Sequence, residues 1–257
     1  MFRAKEYVKA ESLKEAWDLN QKRSSVLVGG MMWLKMGNGQ KKTVVDLSGL
    51  GLDQIRETEE EFIIGCMCTL RQLELHQGLN REFDGLFRDC VKHIVGVQFR
   101  NGATVGGSVF GRYGFSDVLT GLMALETEVE LYQGGRMSLE EFGAMPYDRD
   151  ILVGIRVRRD GRKAAYISQR NTETDFPVIA CALSRKGDQW KFSVGARPKR
   201  AESRIICGAG KTAGELAEEA AGLFDYGSNM RASGQYRAHL ARVYIERLAA
   251  QLMGEEA

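Results

Sequence analysis

Proline, histidine and cysteine are scarce in this chain: three, three and five residues in 257. With so little proline and 44% apolar side chains, the chain is long enough to bury a sizeable core, as two modest domains or one large one. The cysteines (Cys66, Cys68, Cys90, Cys181 and Cys207) are odd in number and contain no C-x-x-C pair. That excludes a locally encoded disulfide framework, zinc site or iron–sulfur site, and the five read as reduced thiols, mostly buried. His76, His93 and His239 stand apart, with no pair at four-residue spacing and no Ser-His-Asp signature. Metal-dependent and triad chemistry lose their support, and any redox chemistry must come from a bound cofactor. An excess of either charge is also missing: 36 basic against 34 acidic residues, mixed along the chain, argue against nucleic acid as the partner. No apolar run approaches the length of a membrane span, and Met1-Phe2-Arg3-Ala4-Lys5-Glu6 is charged where a signal peptide would be apolar. The expectation is a globular cytoplasmic protein with no membrane partner.

What the chain does have is two glycine pairs. Val28-Gly29-Gly30-Met31-Met32 and Asn101-Gly102-Ala103-Thr104-Val105-Gly106-Gly107-Ser108 each follow an apolar run. Glycine pairs let backbone approach a ligand where a Cβ would not fit, and successive bare N–H groups in a tight turn form a concavity suited to a pyrophosphate. Either pair alone is compatible with an ordinary turn. Two together suggest a clamp around a dinucleotide.

Around these pairs the pattern alternates between helix and strand. Ser12-Leu13-Lys14-Glu15 has capping-box spacing and opens a helix with Leu13, Ala16, Trp17 and Asn20 near one face; Val26-Leu27-Val28 then reads as a buried strand ending at the first pair. Thr43–Leu47 is a second strand, and the acidic run 57–61 enters a third at Phe62-Ile63-Ile64-Gly65. Thr69 caps a helix through Glu74, and Glu82 to Val95 reads as one helix with Phe83, Leu86, Phe87, Cys90 and Ile94 at helical spacing. Asp117 to Leu125 is helix-compatible, Glu128–Tyr132 alternates as a strand closed by a hairpin at Gln133-Gly134-Gly135-Arg136, and Ile151–Val157 is another strand. The charged run 158–163 is the candidate boundary. Beyond it, Phe176–Leu183 and Trp190–Val194 suggest a small antiparallel sheet covered by helices over 212–223 and 233–253.

The order of these segments, with Ile64-Gly65-Cys66-Met67-Cys68-Thr69-Leu70-Arg71-Gln72-Leu73-Glu74, Ser116-Asp117, Leu122–Leu125 and Arg231-Ala232-Ser233-Gly234-Gln235-Tyr236-Arg237, resembles the FAD-binding medium subunit of molybdenum hydroxylases. That family includes the xanthine and carbon monoxide dehydrogenases, and the resemblance covers nearly the whole chain. It implies an α+β fold: a two-lobed FAD-binding domain of the PCMH/CO dehydrogenase flavoprotein type over residues 1–160, with lobes of about 1–54 and 55–160, then a small α+β C-terminal domain, antiparallel sheet with helices, over 161–257. It implies a first pyrophosphate loop at Val26, Leu27, Val28, Gly29, Gly30, Met31, Met32 and Trp33 and a second at Thr104, Val105, Gly106, Gly107 and Ser108. Asp117 falls where the family places an acidic residue among its FAD contacts, with capping of the following helix as its other role. Ile94 and Leu152 match positions packed around the cofactor or in the core, and Tyr166 and Ser168 lie in the segment opening the C-terminal domain.

Several residues depart from that pattern. Met31 stands where many relatives have a hydroxyl, and Ser108 replaces a common asparagine. Ser168 lies near the position of a lysine that some relatives direct at the flavin, so charge stabilisation there falls to Arg170 or a backbone dipole. Arg112 is expected to be exposed, or else to reach a phosphate. The resemblance implies noncovalent FAD that takes electrons from [2Fe–2S] clusters of a small partner subunit and passes them to NAD⁺ or another acceptor. A molybdopterin-binding large subunit would carry out hydroxylation. A stand-alone flavin oxidoreductase and an FAD-free scaffold of the same complex remain as alternatives.

Overall fold

The computed structural model describes residues 1–254. Its first element, β1 (Arg3–Lys9), pairs in parallel with β3 (Gln40–Asp46), which pairs in parallel with β2 (Ser25–Val28). A parallel pair needs a crossover, and α1 (Leu13–Asn20) supplies the one between β1 and β2. Its N-cap Ser12 accepts the Glu15 N–H at 3.1 Å, and Ala16 and Asn20 are buried. Nearly every side chain of β1 is exposed, so this edge strand carries no apolar alternation.

A second sheet, antiparallel, has the order β4-β5-β8-β6-β7: β4 (Ile55–Glu57), β5 (Glu61–Gly65), β6 (Thr127–Leu131), β7 (Gly135–Ser138) and β8 (Leu152–Arg158). Six short helices run between β5 and β6: α2 (Leu70–Leu75), α3 (Gln77–Glu82), α4 (Leu86–Val91), α5 (Val97–Gly102), α6 (Val105–Phe110) and α7 (Asp117–Met123). An eighth, α8 (Leu139–Ala144), lies between β7 and β8. The single helix expected over 82–95 is interrupted: Asp84 has φ 50° and Gly85 φ 84°, a left-handed turn between α3 and α4. Phe83, Leu86, Phe87 and Cys90 nevertheless all reach the core.

The last sheet is an antiparallel meander in the order β12-β11-β10-β9, made of β9 (Lys163–Arg170), β10 (Pro177–Lys186), β11 (Gln189–Gly195) and β12 (Glu202–Cys207). α9 (Ala213–Gly222) and α10 (Gly234–Met253) pack with it around a separate apolar cluster. Because strand side chains alternate, β10 serves two cores: Ile179, Cys181 and Leu183 join this cluster, while Ala180 and Ala182 join the main one. Buried charge completes the junction. Lys191 donates to the Leu125 carbonyl at 2.8 Å and pairs with Glu140 at 2.7 Å, and Arg162 bridges Asp160 at 2.7 Å and Glu126 at 3.1 Å. Four cysteines are buried, and Cys207 is exposed. Among the described residues, no helix is long and apolar enough to cross a membrane, and no group of three metal-ligating side chains occurs.

Candidate functional site

The loop after β2 packs on the N-terminal end of α6, and the two together line one side of a cleft of about 350 Å³ whose other side is formed by α7 and the 170–176 segment. The glycines of the two motifs do not mainly make room for a ligand. A Cβ on Gly29 would strike the Thr104 hydroxyl, one on Gly30 would fall on the Gly102 carbonyl oxygen, and one on Gly106 would lie 2.6 Å from the Cys66 carbonyl oxygen. Close packing of the first loop on the second segment is what excludes side chains at 29 and 30.

The second segment is not a bare turn. Thr104 is the N-cap of α6, its hydroxyl oxygen accepting the Gly107 N–H at 3.2 Å. The amides of Val105 and Gly106 donate to the carbonyls of Cys68 and Cys66, each at 2.8 Å, and the Ser108 amide donates to Thr104. Four of the five N–H groups of that expected phosphate cradle, those of Val105 to Ser108, are thus used inside the fold. The first loop is the reverse. Among the described residues the amides of Gly29 through Leu34 donate to no protein acceptor, and they line the cleft. A run of unpaired amides beside a cleft is a ready set of donors for an anion.

Asp117 stands at the other end, only 4% exposed. Ser116, not Asp117, caps α7 by accepting the Leu119 N–H at 3.2 Å. One carboxylate oxygen of Asp117 accepts from the Tyr166 hydroxyl and, at 2.6 Å, from Arg170 Nη2. Its second oxygen, Oδ2, has no hydrogen-bond partner among the described residues. Burial pushes this carboxyl above the ordinary carboxylate value, opposed by the Arg170 guanidinium and the Tyr166 hydroxyl. Burial and the Asp117 charge push the Tyr166 phenol well up, keeping it a donor. Arg170 also donates to the Asp175 carbonyl, so the cation expected near the flavin is already paired.

Of the residues singled out in the sequence, Val26 to Trp33, Ile94, Thr104, Gly107, Ser108 and Asp117 share this cleft. Val105, Gly106 and Leu152 are buried and do not line it, Tyr166 touches it through Asp117, and Ser168 sits half-buried on β9 opposite Ala180. Arg112 is not exposed; it is 1% accessible. At φ 45° it turns back after α6, with its guanidinium 3.9 Å from the Phe142 ring centroid and Nη1 donating to the Met145 carbonyl at 2.9 Å. Sequence reasoning missed the rings of Phe99, Phe115 and Phe176, which converge on the cleft from three segments. No local pattern links them.

Unpaired amides on one wall and a buried carboxylate on the other suit a ligand with both phosphate and hydroxyl groups, which places this chain in the class of nucleotide-binding proteins. Residues 1–157 match the family described as the FAD binding domain in molybdopterin dehydrogenase, and the chain belongs to that family. The uncharacterized protein YgfM of Escherichia coli K12 is 23% identical over 260 residues, 98% of each chain. The fold is shared with carbon monoxide dehydrogenase from Hydrogenophaga pseudoflava (TM-score 0.83, 20% identity, 97% of this chain and 98% of that one). It is shared equally with quinoline 2-oxidoreductase from Pseudomonas putida 86 (TM-score 0.84, 18% identity, 99% of each chain). Reconstituted CO dehydrogenase from Oligotropha carboxidovorans gives a TM-score of 0.84 at 19% identity over the whole of both chains.

Proposed function

We propose that this chain is the FAD-carrying subunit of a cytoplasmic molybdenum-containing hydroxylase of the xanthine dehydrogenase type. The observation that carries the reading is the run of uncommitted amides at 29–34 facing Asp117 across one cleft, in a chain of this family. In this reading those amides hold the diphosphate, and the Thr104 hydroxyl, which accepts from Gly107, keeps its own proton to donate to an oxygen of the cofactor. Asp117 Oδ2 accepts from a cofactor hydroxyl, with Tyr166 and Arg170 fixing the carboxylate. Bound FAD supplies the capacity to relay electrons from [2Fe–2S] clusters of a small partner subunit to NAD⁺ or another acceptor, hydroxylation belonging to a molybdopterin-binding large subunit.

The test is an absorbance spectrum of the purified chain before and after incubation with FAD, followed by dithionite. Visible flavin bands that bleach on reduction, with the flavin released on denaturation, are the expected result. No binding at excess FAD would overturn the cofactor assignment and favour a scaffold role.

A further inference from the structure

Three rings enclose Trp33. Its indole lies 5.0 Å from Phe99 and 6.2 Å from Phe115, edge-on to both, and stacks on Phe176 at 5.4 Å with 26° between planes. Phe115 and Phe176 are themselves 4.2 Å apart. Trp33 comes from the loop after β2 and Phe176 from the segment between β9 and β10, so their stack spans the cleft from wall to wall. Two rings in contact leave no space for a third, which would need a separation of about 7 Å, twice the ordinary carbon–carbon contact distance.

The two sides of this stack are held differently. Phe176 is fixed: its N–H donates to Asp175 Oδ1 at 2.7 Å, Arg170 donates to the Asp175 carbonyl, and the Arg231 guanidinium lies 5.1 Å from its ring centroid. Trp33 is not. Among the described residues, the stretch 29–36 around it makes only local backbone hydrogen bonds, Lys35 N–H to the Met31 carbonyl, Met36 N–H to the Trp33 carbonyl and Gly37 N–H to the Leu34 carbonyl, and the loop is tied to β1 only at its far end, where Arg3 N–H donates to the Gly39 carbonyl. Met31 is held at φ 57°, in left-handed backbone that a long side chain adopts only under constraint. Despite three neighbouring rings, Trp33 stays 40% exposed.

Resting on the FAD reading above, we propose that the slot formed by Phe99, Phe115 and Phe176 is the subsite for a flat ring of the cofactor, and that Trp33 is a plug filling it in the free chain. A diphosphate that pairs with the loop amides replaces their missing acceptors, and a cofactor ring against Phe176 replaces the indole. Trp33 then swings out to solvent, and the left-handed turn at Met31 is free to relax. The loop is thus both the anion site and the gate to the ring site.

Opposite signs separate a plug from a stacking platform. The full chain and its Trp33→Ala variant are titrated with FAD, following flavin fluorescence, and the three tryptophans are labelled with 5-fluorotryptophan for ¹⁹F NMR, Trp33 being assigned by its loss in the variant. Removing a plug held by ring contacts should tighten the FAD dissociation constant about tenfold. In the wild type, saturation with FAD should move the Trp33 resonance to a solvent-exposed position while those of Trp17 and Trp190 stay. Trp33→Leu, which keeps an apolar side chain on the loop, should tighten binding in the same direction and serves if the alanine variant misfolds. Weaker or unchanged FAD affinity in these variants, or an unmoved Trp33 resonance, overturns the plug and leaves the FAD assignment standing. No FAD binding by any of the proteins overturns both. Competition by riboflavin or by adenosine diphosphate, stronger in Trp33→Ala than in wild type, identifies which ring takes the slot.

Discussion

Replacing Gly30 by alanine adds one methyl group, and its target is backbone. The new Cβ would fall on the carbonyl oxygen of Gly102, at the C-terminal end of α5, so no side-chain rotation can relieve the overlap. Either the loop after β2 or the end of α5 must move, and such overpacking costs about 2–3 kcal/mol. For a chain of this length, that cost lowers the melting temperature by roughly 4–12 °C. Gly29→Ala meets only the Thr104 side chain and should cost less. Gly107→Ala is the control, because its Cβ would contact nothing closer than the Thr104 hydroxyl at 3.2 Å, and alanine is the better helix former by up to about 1 kcal/mol. Thermal melts by far-UV circular dichroism, without FAD, should rank wild type and Gly107→Ala together, Gly29→Ala below them and Gly30→Ala lowest. A Gly30→Ala protein that melts with the wild type would refute the close-packing account.

Two further outcomes follow from burial and charge. Glu74 accepts from Arg100 Nε at 2.8 Å and Nη2 at 3.0 Å and pairs with Arg71 at 2.9 Å. Burial alone would raise its pKa, but the guanidiniums more than reverse this and leave it below the usual carboxylate value. A depressed native pKa contributes stability that is present above the unfolded value of about 4.3 and is lost as pH falls through the native one. Glu74→Gln should therefore cost about 1–3 kcal/mol at neutral pH. Denaturant titrations should show its gap from wild type shrinking in acid; a gap independent of pH would refute the ion-pair assignment. The thiols offer a count. Burial pushes Cys66 up to about 12 and Cys68 up to about 11, and it raises Cys90 and Cys181 as well, whereas Cys207 is exposed. At neutral pH a disulfide reagent should label one thiol in the native protein and all five after denaturation, and rapid native labelling of a second would contradict the burial.

Elements with one apolar face were legible in the sequence. The helix after Ser12 and strands β5, β6 and β8 follow their hydrophobic period, because each packs one face on a core. β1 was not, since an exposed edge strand of charged residues carries no such period. The apolar spacing from Phe83 to Cys90 marked the right core residues but gave no sign of the turn at Asp84 and Gly85. At the site, the glycine pairs and Asp117 stood out by type and order, whereas the convergence of Phe99, Phe115 and Phe176 depends on tertiary packing alone. Arg112 was misread for a related reason: its burial is set by the Phe142 ring and the Met145 carbonyl, some thirty residues away in sequence.

The seam where Gly30 rests against the Gly102 carbonyl also bears on how such motifs evolve. Selection to keep the fold intact is enough to preserve the first glycine pair, since losing it damages the protein before any ligand arrives. A lineage that gave up its cofactor would go on carrying Gly-Gly at this place for as long as it folded. The pair is therefore a marker of architecture; on the FAD reading proposed above, it is Asp117, Tyr166 and Arg170 whose buried arrangement, costly to keep without a ligand to serve, would carry the record of cofactor use.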